Sequence, residues 1–280
     1  MPQDVLPLEV PPDWDDALGR IAQGAFRRVM VLGPADAGKS SFCGLLLERA
    51  AAPGLALLDL DPGQKQVGPP GCVTLGRPAP GGGLALAGLA YLDALEPLAG
   101  WERLMRGGAR LADGAGAGLL AINTCGLLRG PGRRLKRAVI SALRPDLLVA
   151  IGDDRAMDAV LADHAALPAV RLARPGLARR KGEGERRALR RAAFQAYFEG
   201  APAWTLPLQG LWTEGGAHPP AGRLVALADG GGADLALGLS GGLDGAGGLV
   251  LRAPRPGGVV AGLRWGGLGL DAAWSAHRES

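Results

Sequence analysis

Residues Val29–Ser41, VMVLGPADAGKSS, pass from a nearly continuous apolar run through a loop bounded by glycines into the helically spaced SSFCGLLLERAAA. Gly33-Pro-Ala-Asp-Ala-Gly38-Lys39-Ser40 satisfies the pattern G-x-x-x-x-G-K-[ST]. In that pattern backbone N–H groups wrap phosphates, the lysine reaches the terminal oxygens and the hydroxyl binds Mg²⁺. The context fits, because a strand precedes the loop and a helix follows, so the first helical turn directs its N–H groups and its dipole at an anion. Gly33, Pro34, Ala35, Asp36, Ala37, Gly38, Lys39, Ser40 and Ser41 are therefore expected to hold the phosphates of a nucleoside triphosphate.

Outward from this loop the same alternation repeats. LALLDLD, GLLAINT and DLLVAIG are further short apolar runs, and GRRLKRAVISAL has helical spacing. Strands buried on both faces and joined by helical crossovers predict an α/β fold with a mostly parallel sheet flanked by helices. Residues 177–198 read as a charged helix, and Pro78–Gly83 and Gly107–Gly118 as loops. After Gly200 the runs GRLVALADG, ADLALGLSGG, GGLVLRAP and GVVAGLRWGGLGL, separated by Gly/Asp turns, predict a small all-β unit. The expected division is an N-terminal extension (1–27), a P-loop domain (28–200) and a β-rich C-terminal domain (201–280).

In 280 residues, 48% of them hydrophobic, no apolar run reaches the length of a membrane span, and the opening MPQDVLPLEVPPDWDD is acidic where a signal peptide would be basic. A cytoplasmic protein with no membrane association is expected. Cys43, Cys72 and Cys125 lack metal or disulfide spacing and read as packing residues. His164, His218 and His277 are scattered, and Trp204, Trp212, Trp265 and Trp274 read as packing of the β unit. The formal charge is only +4, but nine basic residues against two acids lie between Arg171 and Arg191.

LDLDPGQ, Leu58–Gln64, ends the second strand in two acids. Side chains at i and i+2 of a strand share a face, so Asp59 and Asp61 would repel unless a cation, a proton or a ligand lies between them. Strand ends of this kind are where open α/β sheets bind ligands. One acid is suited to the water shell of Mg²⁺ and the other to taking a proton from an attacking hydroxyl.

GPADAGKS, DLDPGQ, QVGPPGCVTLG, INTCGLLRGPG and an Arg-rich helix ending in FQAYFEG, in that order, resemble the polynucleotide 5′-hydroxyl kinase family. The resemblance implies transfer of the γ-phosphate of ATP, or of GTP or another NTP, to the 5′-OH end of RNA or DNA with Mg²⁺, and RNA-processing partners. It implies Lys39 at the phosphates, Ser40 and Asp59 at the metal, and Asp61 as general base. Gln64, Thr124 and Gly126 match substrate-side positions, the last two in the segment called the clasp. Arg186 and Arg190, one turn apart, match a lid that closes over the phosphates; the Arg-Ser pair usual at the lid's start appears as Lys181-Gly182 or is displaced to Arg179-Arg180. Relatives carry tryptophan where this chain has Leu127, and a leucine cannot stack a terminal base. The alternative is a catalytically silent ATP-binding scaffold of an RNA-processing complex. A guanine-specifying N/T-K-x-D motif, which a switch GTPase would need, is absent from the sequence.

Overall fold

The computed structural model describes residues 10–50, 53–116, 118–176 and 178–278. Its first sheet has the order β4-β3-β2-β5-β1-β6-β7. The strands are β1 (Arg28–Leu32), β2 (Ala56–Asp59), β3 (Cys72–Pro78), β4 (Leu84–Tyr91), β5 (Leu120–Asn123), β6 (Leu147–Ile151) and β7 (Ala169–Leu172). β2, β5, β1, β6 and β7 run parallel, and the β3–β4 hairpin adds an antiparallel edge.

Strand residues alternate between two cores. Val29, Val31, Leu57, Ala121, Val149 and Ile151 face α1 (Pro12–Arg20) and α2 (Lys39–Arg49). Met30, Leu32, Leu58, Ile122, Leu148 and Ala150 face α3 (Trp101–Asp113), α4 (Pro131–Leu143) and α5 (Arg155–Ala162). With helices on both sides, neither face of a strand can be polar, hence the unbroken apolar runs.

Residues 12–25 form α1 and a π-helical turn at Ile21–Ala25, and α1 belongs to the core rather than hanging outside it. Trp14 is fully buried, meets Phe42 edge to face, and donates from its indole N–H to the Ala173 carbonyl at 2.8 Å. Residues 1–9 of the expected extension lie outside the described residues.

Three sequence expectations are corrected. Gly107–Asp113 is not loop but the second half of α3; Gly107 sits where a Cβ would come within 2.4 Å of Ala90 Cβ, so the glycine serves close packing of helix on strand. The charged helix, α6, begins at Glu183 rather than near 177, because Lys181 N–H is held by the Asp36 carboxylate and keeps the preceding chain out of helix; residue 177 itself lies outside the described residues. β2 stops at Asp59, so Asp61 lies in the following turn and not on the strand face. Pro78–Gly83, by contrast, spans the end of β3 and the turn of the β3–β4 hairpin.

The second sheet is antiparallel apart from one parallel pair, β9 with β13, and runs β14-β13-β10-β11-β12-β8. It is built from β8 (Ala203–Leu206), β9 (Trp212–Glu214), β10 (Arg223–Ala228), β11 (Asp234–Leu243), β12 (Leu249–Arg252), β13 (Gly262–Leu270) and β14 (Ala276–Arg278). Cys72, Leu89 and Tyr91 of the hairpin, Phe194 and Phe198 of α6 (Glu183–Phe198), and Leu224, Leu237 and Leu268 of the second sheet share one core. Two tryptophans of this unit lie under its own arginines, Arg255 over Trp204 at 4.4 Å and Arg252 over Trp274 at 5.1 Å.

Gly107→Val tests the helix–strand approach. On an open helix face it would be neutral or stabilising; here overpacking against Ala90 should lower unfolding stability in urea by about 1–3 kcal/mol.

Candidate active site

The phosphate loop leaves β1 at Gly33 and turns through two residues of positive φ, Asp36 (58°) and Gly38 (97°). A Cβ on Gly38 would lie 2.8 Å from the Trp14 ring, so this position takes only glycine. α2 starts immediately afterwards at Lys39, placing its unpaired first-turn N–H groups at the loop. Lys39 is buried and its ammonium donates to the Pro34 carbonyl at 2.7 Å. Burial, then the charge of Lys136, pushes it down to about 8. Such a cation gains from the arrival of an anion.

At the carboxyl end of β2, Asp59 is wholly buried. Its Oδ1 accepts from Asn123 Nδ2 (3.0 Å) and Asp61 N–H (3.1 Å), and its Oδ2 from Gln66 N–H (3.0 Å). Of the three partners open to these acids, a cation is the one present at Asp59: the ammonium of Lys65 lies 3.4 Å from Asp59 Oδ2 with 1% of its side chain exposed. Lys65 also donates to the carbonyls of Asp59, Asp61 and Cys72 at 3.0–3.2 Å. Asp59 is thus neutralised from within the chain, and Asp61 is the acid left at the surface of the cavity. Asp61 Oδ1 accepts from the N–H groups of Gly63 (2.9 Å) and Gln64 (3.1 Å), and Oδ2 has no hydrogen bond to a described residue. Burial, then the Asp59 charge, pushes the Asp61 carboxyl above the ordinary aspartate range, although the two N–H groups pull the other way.

The segment after β5 forms the opposite wall. Register places Asn123 beside both Asp59 and Val31. From there its amide N–H₂ reaches Ser40 Oγ at 3.4 Å as well as Asp59. Thr124 turns its hydroxyl away, donating to the Val31 carbonyl at 2.8 Å. Gly126 lies against the phosphate loop, where a Cβ would fall 2.4 Å from Ala35 N. Leu127 and Leu98, 40% and 39% exposed, stand among the residues lining the cavity.

The basic segment closes the fourth side. Asp36, on the phosphate loop, accepts from Lys181 N–H (3.0 Å), lies 3.4 Å from Lys181 Nζ, and pairs with Arg186. Burial alone would raise the Asp36 carboxyl, but that N–H and the charges of Arg186 and Lys181 outweigh it and hold it below its usual value. Of the two alternatives for the start of the lid, Lys181 docks on the phosphate loop whereas Arg179 pairs with Glu185 at the surface. Arg190 lines the cavity without a hydrogen bond or ion pair to a described residue, and Gln64 Nε2 meets the Arg186 carbonyl at 3.4 Å.

These walls enclose a cavity of about 1350 Å³. Pro34 to Ser41, Asp61, Gln64, Thr124, Gly126, Arg186 and Arg190 all line it; Gly33 and Asp59 lie behind its surface. Among the described residues no three His, Cys, Asp or Glu side chains gather as a metal cage. The buried Asn123 Oδ1 has no hydrogen-bond partner and belongs to the amide that touches Ser40. A hydroxyl and an orphan oxygen beside a phosphate loop suit a hydrated Mg²⁺ that takes its other ligands from the nucleotide and water.

Sequence reasoning did not reach Lys65, Asn123 or the Asp36 latch. Only the need for a cation between the acids pointed to the first.

Among families of known proteins, the one described as mRNA cleavage and polyadenylation factor CLP1 P-loop matches residues 33–80 and 97–200. A polyribonucleotide 5′-hydroxyl-kinase of Pyrococcus furiosus is 28% identical over 233 residues, 75% of this chain and 62% of that protein. One from Methanocaldococcus jannaschii is 26% identical over 55% of this chain and 45% of its own length. Polyribonucleotide 5′-hydroxyl-kinase Clp1 of Danio rerio is 30% identical over 46% of this chain and 33% of its own length. The chain thus spans less than two thirds of these relatives. The structure of a wild-type Clp1p–Pcf11p complex superposes with a TM-score of 0.70 over 91% of this chain and 77% of that one, at 14% identity, a likeness of fold.

Two outcomes are expected at this site. Lys65→Met leaves Asp59 buried without its cation and should cost about 3–5 kcal/mol in denaturant unfolding, much of it restored by adding Asp59→Asn. Asp36→Asn, which keeps the loop conformation, should undock the lid and speed tryptic cleavage after Arg179, Arg180 and Lys181 in the nucleotide-free protein. Since the Asp36 pKa is lowered on docking, the docked lid is held at full strength above the ordinary value of 3.8 and loosens as pH falls below it, which the same digestion with an acid-active protease would show.

Proposed function

The chain belongs to the mRNA cleavage and polyadenylation factor CLP1 P-loop family, and from that premise we propose that it is a 5′-hydroxyl kinase that transfers the γ-phosphate of ATP to the 5′ end of RNA. The observation that carries this reading is the division of labour between the two acids after β2: Lys65 occupies Asp59, and of the pair only Asp61, its carboxyl pushed above the ordinary range, lines the cavity with the phosphate loop.

In the proposed reaction the 5′-oxygen attacks the γ-phosphorus in line and its proton passes to Asp61 Oδ2. The bond to the β,γ-bridging oxygen breaks, and its electron pair leaves on ADP. Lys39 and the first turn of α2 hold the β- and γ-phosphates. Arg186 and Arg190 come from the lid to balance charge on the transferring group; for Arg186 this means exchanging Asp36 for phosphate oxygens. Mg²⁺, when bound on Ser40, supplies further neutralisation of the phosphate oxygens. Asp59 acts through Asn123, which it orients against Ser40, and not as a direct metal ligand. Gln64, between Asp61 and the lid helix, sets the position of the acceptor. Partners in RNA processing are proposed on the strength of the family alone.

The test is incubation of the full chain with Mg²⁺, γ-labelled ATP or GTP, and 5′-OH RNA and DNA oligonucleotides. Label should enter RNA. ATP binding without label in either oligonucleotide would favour the silent scaffold. Asp61→Asn should lower kcat by about 10²–10⁴-fold, the range typical of a general base, and change the dissociation constant for ATP little. In the unmodified protein the acidic limb of kcat/KM should lie above the ordinary aspartate value of 3.8, because Asp61 must lose its proton to act and burial raises its pKa.

A further inference from the structure

Lys136 lies on the face of α4 that packs against the sheet, with Gly132, Leu135, Val139, Ile140 and Leu143, and only 1% of it meets solvent. Helical spacing would put an apolar residue there. Its ammonium instead reaches the segment after β5, donating to the Cys125 carbonyl at 2.7 Å and meeting the Cys125 sulfur at 3.2 Å. Among the described residues no carboxylate pairs with it. Arg133, one turn earlier, points away to Asp163, just past the end of α5. An ammonium buried against two neutral acceptors retains much of its desolvation cost.

Cys125 connects Thr124 to Gly126 and lines the cavity that Lys39 also lines. The backbone that Lys136 grips is therefore the wall that Gly126 presses against Ala35 of the phosphate loop. Two buried ammonium groups, Lys39 held on the Pro34 carbonyl of the loop and Lys136 on the Cys125 carbonyl of the wall, have no acid hydrogen-bonded to either among the described residues. Both are placed to be balanced by an anion that enters between the loop and the wall.

We propose that Lys136 is a positioning residue of the phosphate site, fixing the Thr124–Gly126 wall against the phosphate loop and placing a cationic side chain behind it that a bound polyphosphate balances. It does not touch the nucleotide; it acts through the Cys125 carbonyl and through its field. The inference rests on the phosphoryl-transfer reading, but its binding consequence holds for any polyphosphate in this cavity. Exchange of a buried cation without a carboxylate partner for an apolar side chain of similar size removes a desolvation cost. Stability and activity should therefore respond in opposite directions.

Lys136→Met and Lys136→Arg in the full chain separate these effects. Three quantities are measured: thermal unfolding, the dissociation constant for ATP by calorimetry, and kcat and KM for a 5′-OH RNA oligonucleotide. For Lys136→Met the expectation is an unchanged or higher Tm, ATP binding weakened at least about fivefold and kcat lowered at least about tenfold, with KM for RNA little changed. Lys136→Arg should recover most of the ATP affinity. Folded Lys136→Met with ATP affinity and kcat within about twofold of the original overturns the proposal, as does a loss in which Tm falls together with activity and arginine restores neither. Should the methionine variant fail to fold, Lys136→Gln is read by the same criteria. If the unmodified protein binds ATP but transfers no label, the kinase reading fails while the calorimetry still decides the role of Lys136.

Discussion

The constraint on which the rest depends is the buried carboxylate of Asp59. An anion sealed from water must find donors for both oxygens, and it takes them from three directions: Asn123 of the neighbouring strand, the backbone N–H groups of Asp61 and Gln66, and the ammonium of Lys65. Satisfying it folds the turn after β2 back on itself, so that Gly63 and Gln64 are in place to hold Asp61. Through Asn123 the same carboxylate reaches the second residue of α2, the serine of the phosphate loop. One buried charge thereby sets the relative positions of two strand ends, the loop between them and the first helix of the nucleotide site. A neutral residue at 59 would leave each of these free to settle separately.

The second sheet has its place in the same arrangement. α6 carries Arg186 and Arg190 into the cavity near its start, and near its end Phe194 and Phe198 are buried in the core shared with the β unit. Tyr197 adds a hydrogen bond, its hydroxyl accepting from Leu237 N–H at 2.9 Å. α6 is therefore held near its C-terminal end by the second sheet and near its N-terminal end by Asp36.

Much of this was legible in the residues. The phosphate loop is specified by backbone needs, and the positions of positive φ and close approach, Gly38 against Trp14 above all, leave a pattern that spacing reveals. The parallel sheet shows because strands covered on both faces must be apolar throughout. Lys65 and Lys136 were hidden for the opposite reason: a lysine is ordinarily solvated, and nothing local in GQKQV or RRLKRAV says that its ammonium turns inward to backbone carbonyls. Gly107 and Gly108 read as loop because paired glycines are poor helix formers, whereas Gly107 admits the close approach of α3 to Ala90 of β4 and Gly108 the approach of Leu60 after β2. The late start of α6 depends on a bond to Asp36 some 145 positions away, which no local pattern contains.

The anchoring of α6 has a mechanical consequence. Its sixteen residues make a rod of about 24 Å, clamped by aromatic rings at one end and bearing the guanidinium groups near the other. Rotation of the clamp by roughly 5° would swing the far tip by about 2 Å, by the geometry of such a rod, more than the width of a hydrogen-bonding well. The stiffness of an apolar seam at one end of α6 thus sets how closely Arg186 and Arg190 are aligned in the cavity they line.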